Sequence, residues 1–472
     1  MLRNLKVLAN AFTIAAVCLA VLCTLTLGAE ADAATRPPNV VLIVADDMGY
    51  PDLGCFGSKP ILTPHLDRMA AEGIRATNFY VTWPACTPSR GSLLTGRYPQ
   101  RNGLYDMIRN DLVNFEHQYS LDEYAVSPEM TLGLDVREVT IGDVLKQAGY
   151  RTGMIGKWDM GQARRFLPLQ RGFDQFYGHG NNGIDYYTHE RYGIPSLFRD
   201  NARTQADRGT YATDIFAREA KAFVKHDDDR PWFLYLAFNA PHGASSFGKP
   251  GVQAPDTYKQ MYQGKLDNSR LVGYYAAVTC MDQAIGELAQ AIAARGQSDQ
   301  TAWLFLSDNG GSGNGGNAPL RGAKSTMWEG GLRVPFVVHW PGQIEGGRVT
   351  EEFLTSLELF PTLANLCQAT SSLPPGVILD GFDMLPVLRG EIKSPRTEMF
   401  WQRRSDRAAR VGHWKWVDSA KGCGLFDLSN DLGETRDLSV SHPNELVQVK
   451  ARFEQWQNNM RDAEPRGPFR DY

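Results

Sequence analysis

Short apolar runs separated by helical patterns constrain the fold of this chain more than any other feature. Val40–Val44 runs into Asp46 and Asp47, Arg151–Ile155 into Gly156 and Lys157, Trp232–Phe238 into Pro241 and His242, and Ala302–Leu306 into Asp308 and Asn309. Val334–His339 is a fifth run. Apolar runs of this length fit strands buried on both faces, as in a parallel sheet. Between them, Thr140–Ala148, Thr213–Val224 and Ser269–Arg295 carry apolar residues at helical spacing, for example Ile141, Val144, Leu145 and Ala148. The alternation predicts an α/β fold with a large, mostly parallel central sheet flanked by helices. After Gly390 the texture changes to short strands at Glu398–Trp401, Ala408–Val411, Trp414–Val417 and Gly424–Leu428, then a helix at Glu445–Met460. This predicts a main α/β domain over 36–390 and a small α+β subdomain over 391–472. Ligands of such sheets bind beyond the carboxyl ends of the strands. Four polar clusters follow strands here, so they are expected to converge on one site.

The N-terminus reads as a targeting segment. Arg3 and Lys6 precede an apolar stretch from Val7 to Leu27, and Ala31-Asp32-Ala33 follows as a small-residue cleavage site. That order is a secretory signal over 1–33, so the chain is expected to be exported, to the periplasm or outside the cell. The apolar stretch approaches bilayer-spanning length, which leaves an anchor as the alternative. No later segment reads as transmembrane, so no stable membrane span is expected. A net charge of -4 over 472 residues gives no footprint for nucleic acid and no polybasic membrane patch. Of seven cysteines, Cys18 and Cys23 leave with the signal, and Cys55, Cys86, Cys280, Cys367 and Cys423 remain with no C-x-x-C pair. An odd count in an exported chain means at least one thiol is free or chemically special. Cys86 is the candidate.

Cys86 opens the run Cys86-Thr87-Pro88-Ser89-Arg90-Gly91-Ser92-Leu93-Leu94-Thr95-Gly96-Arg97. This resembles the signature of type I sulfatases, in which the cysteine is oxidised after translation to formylglycine. The resemblance extends from Pro38 to about Leu438. Val40 to Asp47 is similar to the family's opening strand and metal pair, and Leu304 to Gly311 to its second metal segment. Arg321 to Lys324, leading into Glu329–Pro335, resembles its sulfate-lysine region, and Leu425–Leu428 through Glu434 its C-terminal subdomain. The resemblance implies the alkaline phosphatase superfamily fold and a formylglycine-generating enzyme as maturation partner. It also implies a substrate that is a sulfated carbohydrate or an aryl sulfate.

The residue types suit that chemistry. A sulfate monoester is anionic, so a site must neutralise its oxygens and hold a nucleophile in line. Asp46, Asp47, Asp308 and Asn309 offer only oxygen ligands, which suit Ca2+, or Mg2+, better than zinc; the resemblance adds residue 86 to the set. Formylglycine would hydrate to a gem-diol, one hydroxyl attacking sulfur with Arg90 and Lys157 holding its charge. Loss of a proton from the other hydroxyl then expels sulfate and restores the aldehyde. By resemblance, His242 contacts sulfate and protonates the leaving alcohol, and Lys324 binds a sulfate oxygen and shares the acid role.

One departure stands out. The family's usual Gly-Lys-Trp-His is Gly156-Lys157-Trp158-Asp159 here. Asp159 can accept a hydrogen bond from the diol but brings negative charge close to an anionic substrate, so it either contacts the diol as an acceptor or points elsewhere, to a cationic or hydroxyl-rich substrate group. Asn181, Asn182, Asp185, Tyr186, Tyr187 and His189 form a polar, aromatic loop of the kind that binds sugars, and Tyr105 and Asp106 follow the signature; no individual roles are assigned to them. Two alternatives remain open from the sequence: a phosphonate monoester or phosphodiester hydrolase of the same superfamily, and a non-catalytic protein that binds sulfated glycans.

Overall fold

The apolar runs form the middle of one eleven-stranded sheet. The computed structural model describes residues 36–266 and 268–467; the export signal read at 1–33 lies outside them. The strands of this sheet are β1 (Asn39–Ala45), β2 (Ile74–Tyr80), β3 (Arg151–Lys157), β4 (Gln175–His179), β5 (Leu197–Arg199), β6 (Ala202–Arg203), β7 (Trp232–Ala237), β8 (Thr301–Ser307), β9 (Arg333–His339), β10 (Arg348–Thr350) and β11 (Leu354–Thr355). Their order is β10-β2-β9-β8-β1-β7-β3-β4-β5-β6, with β11 also paired to β2.

The five central strands, β8, β1, β7, β3 and β4, are parallel. The fifth apolar run differs from expectation: β9 is antiparallel to both β8 and β2. The segment between β8 and β9 stays at the carboxyl end of β8, where Lys324 meets Asp47, and holds only one helical turn, so the strand runs back. β2 gave no apolar run because Arg75 and Thr77, at its partly exposed positions, and the buried Asn78 interrupt it.

Every residue of β1 is buried. Val40, Leu42 and Val44 enter one core, while Val41, Ile43 and Ala45 enter the core on the other face. Burying each such Val, Leu or Ile stabilises the fold by about 1.5–3 kcal/mol, which is why a two-sided strand reads as an unbroken apolar run. Helices cover both faces. Ile141–Gln147 starts at a capping box made by Thr140 and Asp143. Ser269–Ala293 continues through Gly286, where a Cβ would lie 2.4 Å from the His65 ring. The glycine there admits a neighbouring side chain rather than ending the helix.

The C-terminal strands β12 (Glu398–Arg403), β13 (Asp406–Val411), β14 (Trp414–Ser419) and β15 (Gly422–Asp427) form an antiparallel meander. Helix Pro443–Arg461 lays Val449, Phe453, Trp456 and Met460, one helical stripe, into a core shared with Trp401, Trp416 and Phe426. The same core takes in Tyr80, Leu332 and Leu357 from the main sheet region. The described residues from Asn39 onward are accordingly one compact unit. Among the described residues no helix is long and apolar enough to cross a membrane.

Candidate active site

The parallel strands end level with one another. Ala45 pairs with Ser307, Val44 and Gly156 both pair with Ala237, and Lys157 pairs with His179. Asp46, Lys157, Asn239 and Asp308 therefore leave the sheet on one edge, at the carboxyl ends of the strands. Gly156 makes this approach possible. Its φ is +103°, and a Cβ there would lie 1.8 Å from the Ala237 carbonyl oxygen.

Cys86 sits at the same edge as the first residue of helix Cys86–Thr95, whose ten residues are all buried. Pro88 lies in the first turn, where its missing N–H costs nothing. Gly96 ends the helix in a left-handed cap, its N–H donating to Ser92 O at 2.8 Å. The Cys86 Sγ lies 3.4 Å from Asp46 Oδ1, 4.0 Å from Asp47 Oδ1 and 3.3 Å from Lys324 Nζ. In a matured chain the oxygens of formylglycine hydrate would take the place of Sγ. Burial pushes the thiol well above its ordinary pKa, although Lys157 and Lys324 oppose it. The unconverted Cys86 is therefore a protonated thiol and not a ready nucleophile.

Three carboxylates face three cations around this sulfur. Arg90 donates from Nε to Asp308 Oδ2 at 2.9 Å and from Nη1 to the Lys157 carbonyl at 3.1 Å. Lys157 Nζ donates to Asp46 Oδ2 at 2.7 Å, and Lys324 Nζ lies 2.6 Å from Asp47 Oδ1. Burial would raise Asp47, but Lys324, His242 and Lys157 hold it far below the usual carboxylate range. Asp308 goes the other way: burial raises it more than Arg90 lowers it. Desolvation is the largest influence on Lys157 and opposes its charge, but Asp46, Cys86 and Asp159 together raise it and keep its ammonium protonated.

The same residues fit a metal ion. Ligand atoms of Asp46, Asp47, Cys86 and Asp308 all lie within 4.8 Å of one another, and all four residues are buried. Asn309 Oδ1 is buried and accepts no hydrogen bond among the described residues, while its Nδ2 donates to Asp47 Oδ1 and to Gly310 O, each at 2.9 Å. An orphaned carbonyl oxygen beside three carboxylates is what a hard divalent cation takes as a ligand set.

Asp159, with φ +55°, contacts Thr87, the residue after Cys86, and belongs to a separate network. Its Oδ1 accepts from Thr87 Oγ1 at 3.0 Å and from Asn182 Nδ2 at 2.5 Å. Its Oδ2 has no hydrogen-bond partner and lies 3.8 Å from Lys157 Nζ. Burial raises Asp159 to about 6, with Lys157 and Arg90 opposing. Arg191 orients Asn182 by donating from Nη2 to its Oδ1 at 3.3 Å, and Arg191 Nε is held by Glu129 Oε1 at 2.7 Å. His242 approaches Asp47 Oδ2 to 3.7 Å through Nε2, and its Nδ1 meets Gly243 O at 2.6 Å. Burial brings His242 down to about 3, so its ring rests neutral.

Of the loop read as sugar-binding, most is committed inward. Asn181, Asp185, Tyr186 and His189 are buried. The Tyr186 hydroxyl lies 3.0 Å from Asn239 O and 2.8 Å from His242 O, bracing the turn that carries His242. Asp185 accepts from Ser246 Oγ and Gln253 Nε2 at 2.8 and 2.9 Å. Asn182 alone of these residues reaches the Cys86 helix, through Thr87. Asp106 holds Arg404 at 2.8 Å on the rim. Sequence reasoning missed Ser312, whose hydroxyl donates to Asp47 Oδ2 at 2.7 Å; a serine in a glycine-rich loop carries no signal of its own.

Comparison with known proteins identifies the family. The Sulfatase family profile matches residues 38–369. Human arylsulfatase A is 36% identical over 468 residues, covering 86% of this chain and 84% of that protein. N-acetylgalactosamine-6-sulfatase of Canis lupus familiaris is 33% identical, covering 88% of this chain and 80% of its own length. The crystal structure of Ps i-CgsB in complex with k-i-k-neocarrahexaose superposes with a TM-score of 0.78 at 31% identity, covering 89% of this chain and 93% of that one.

Proposed function

The chain belongs to the sulfatase family and hydrolyses sulfate esters, and on that premise we propose that it desulfates a carbohydrate through formylglycine made from Cys86, with calcium bound alongside. The observation that carries this reading is the position of Cys86. It heads a buried helix, 3.4 Å from Asp46 and 3.3 Å from Lys324, as a thiol that burial keeps unreactive. Calcium held by Asp46, Asp47, Asp308, Asn309 and residue 86 would acidify the nucleophile and polarise a sulfate oxygen.

The protein's own groups divide the remaining work by depth. Arg90 and Lys157 have fully buried side chains, so they serve the nucleophile side. His242 and Lys324 are each 18% exposed, the more accessible pair, so they would meet the sulfate oxygens. His242 rests neutral, and an arriving sulfate favours its protonation by adding negative charge. Only then can it donate a proton to the leaving oxygen. Asp159 offers an acceptor oxygen beside the nucleophile. A relative named for N-acetylgalactosamine-6-sulfate and a related structure bound to a neocarrahexaose support a carbohydrate substrate. Export with removal of 1–33, maturation by a formylglycine-generating enzyme, and a division into 36–390 and 391–472 belong to the same reading.

Two measurements test it together. The peptide containing Cys86, from active enzyme, is expected to be lighter by the difference between a CH2SH and a CHO group. The same enzyme is expected to release free sulfate from members of a panel of sulfated mono- and oligosaccharides. An unmodified thiol in an active preparation would refute the nucleophile. Faster cleavage of a phosphodiester than of any sulfate ester would refute the substrate class.

A further inference from the structure

Lys324 lies on the segment 308–332 between β8 and β9, whose one regular element is the single helical turn Glu329–Leu332. A long connection with so little structure of its own must be placed by what it packs against. On the nucleophile side, Lys324 N donates to Gly311 O at 3.1 Å and Ser325 N to Pro84 O at 2.7 Å. Gly310 packs so closely that a Cβ would lie 1.8 Å from Gly330 O.

The other side is held by the C-terminal sheet, through Lys415, and by the segment that follows its last strand, through Glu434. Glu329 N donates to Glu434 Oε2 at 2.7 Å. Lys415, on β14, donates to Glu329 Oε1 at 2.7 Å and lies 3.2 Å from Glu434 Oε1. Arg321 Nη1 donates to Glu434 O at 2.8 Å, and its guanidinium lies 3.7 Å above the Trp328 ring. Trp328 in turn meets Phe426 of β15 edge-on at 5.5 Å. Glu329, Lys415 and Glu434 are all 0% exposed. A fully buried lysine between two carboxylates is a weak device for stability, because apolar residues of the same volume usually do as well. What it does fix is geometry. Anchors at Arg321 and Glu329 close a turn, with Gly330 N donating to Arg321 O at 2.7 Å, and Lys324 projects from that turn.

We propose that Glu434 and Lys415 are positioning residues for Lys324: the C-terminal sheet straps the 321–330 turn and sets where the Lys324 ammonium meets the sulfate. The strap rests on the reading of Lys324 as a sulfate contact. It gives the C-terminal sheet a part in sulfate recognition without touching substrate. An ammonium displaced by an ångström loses much of its value at a reacting group.

The test uses calcium-loaded, full-length enzyme and inorganic sulfate as a competitive inhibitor. Glu434→Gln keeps an acceptor for Glu329 N but turns an amide N–H toward Lys415. It is expected to weaken sulfate inhibition at least about fivefold and to raise KM more than it lowers kcat. Arg321→Met cuts the strap at an exposed residue, where folding is not at risk, and is expected to move sulfate inhibition in the same direction. In a Lys324→Met background, both variants are expected to add nothing. An equal loss in both backgrounds, or a parallel shift in the calcium midpoint, would mean general structural damage and overturn the strap. Unchanged sulfate inhibition in Lys324→Met itself would instead remove the reading of Lys324, and the strap with it.

Discussion

Replacing Lys157 with methionine isolates its charge, because methionine keeps a similar length and apolar stem. The change leaves Asp46 with Arg90 Nη2 at 3.8 Å as its remaining cation contact and takes the cation at 3.8 Å away from Asp159 Oδ2. Both carboxylates are 0% exposed. Breaking a buried pair by removing one partner costs about 3–5 kcal/mol. A unit spanning residues 39–472 has an unfolding entropy of about 0.9 kcal/mol per kelvin, so Tm is expected to fall by about 3–5 °C. Lys157 is also the strongest influence holding Asp159 down against burial. Without it Asp159 holds its proton to higher pH, and a raised carboxyl contributes stability at low pH that is lost as pH rises through its folded value. The Tm deficit is therefore expected to be larger at pH 8 than at pH 5. On the proposed reading, added calcium, held by a set that includes Asp46, is expected to reduce it relative to chelated protein. In turnover the variant loses one preorganised cation at the nucleophile, worth about 100- to 1000-fold in kcat. Calorimetry at both pH values, with calcium and with chelator, checks the stability part. A Tm within about one degree of the parent at pH 8, or a larger deficit at pH 5, would refute the reasoning.

Asn309→Leu removes the orphaned oxygen. The calcium concentration that half-saturates the rise in Tm is expected to increase at least about tenfold, and an unchanged midpoint would remove Asn309 from the ligand set. Asp159→Asn removes a carboxyl that burial raises to about 6. Between about pH 4 and pH 6 the parent is expected to lose up to about 3 kcal/mol of stability that the variant keeps; denaturant midpoints across that range that change in parallel would refute it.

The parts of the fold and site that were legible in the sequence share one cause. A strand buried on both faces cannot hide, so β1, β3, β7 and β8 stood out as apolar runs, and the polar residues just beyond them became candidate ligands by position alone. β2 was lost because its partly exposed positions interrupt the run. β9 was found but given the wrong direction, since burial records nothing about polarity. Thr87, Asn182 and Ser312 were not assigned because their roles lie in partners far along the chain: 72 residues from Thr87 to Asp159, 265 from Ser312 to Asp47. Lys415 misleads outright. In Trp414-Lys415-Trp416, period-two alternation points the lysine to solvent, yet it is 0% exposed. The main sheet region, with Glu329 and Tyr80, covers the face that alternation would leave open.

Asp159 shows how the chain accommodates its departure from the family pattern. The backbone there is left-handed, a conformation aspartate tolerates better than most residues. Thr87 and Asn182 both donate to Oδ1, so that oxygen is satisfied. Asn182 can present its N–H in this direction because Arg191 binds its carbonyl, and Arg191 is anchored by Glu129. The charge that looked hostile to a sulfate in the sequence thus has its own donors and a lysine nearby. Only Oδ2 is left free of hydrogen bonds. On the proposed reading, a buried acceptor with one oxygen committed and one open, one residue from the proposed nucleophile, would supply the acceptor that the family's usual histidine is expected to provide. Burial raises that group to about 6, so the local proton balance, rather than the grip on sulfate, is where the departure from the histidine expected by resemblance should show.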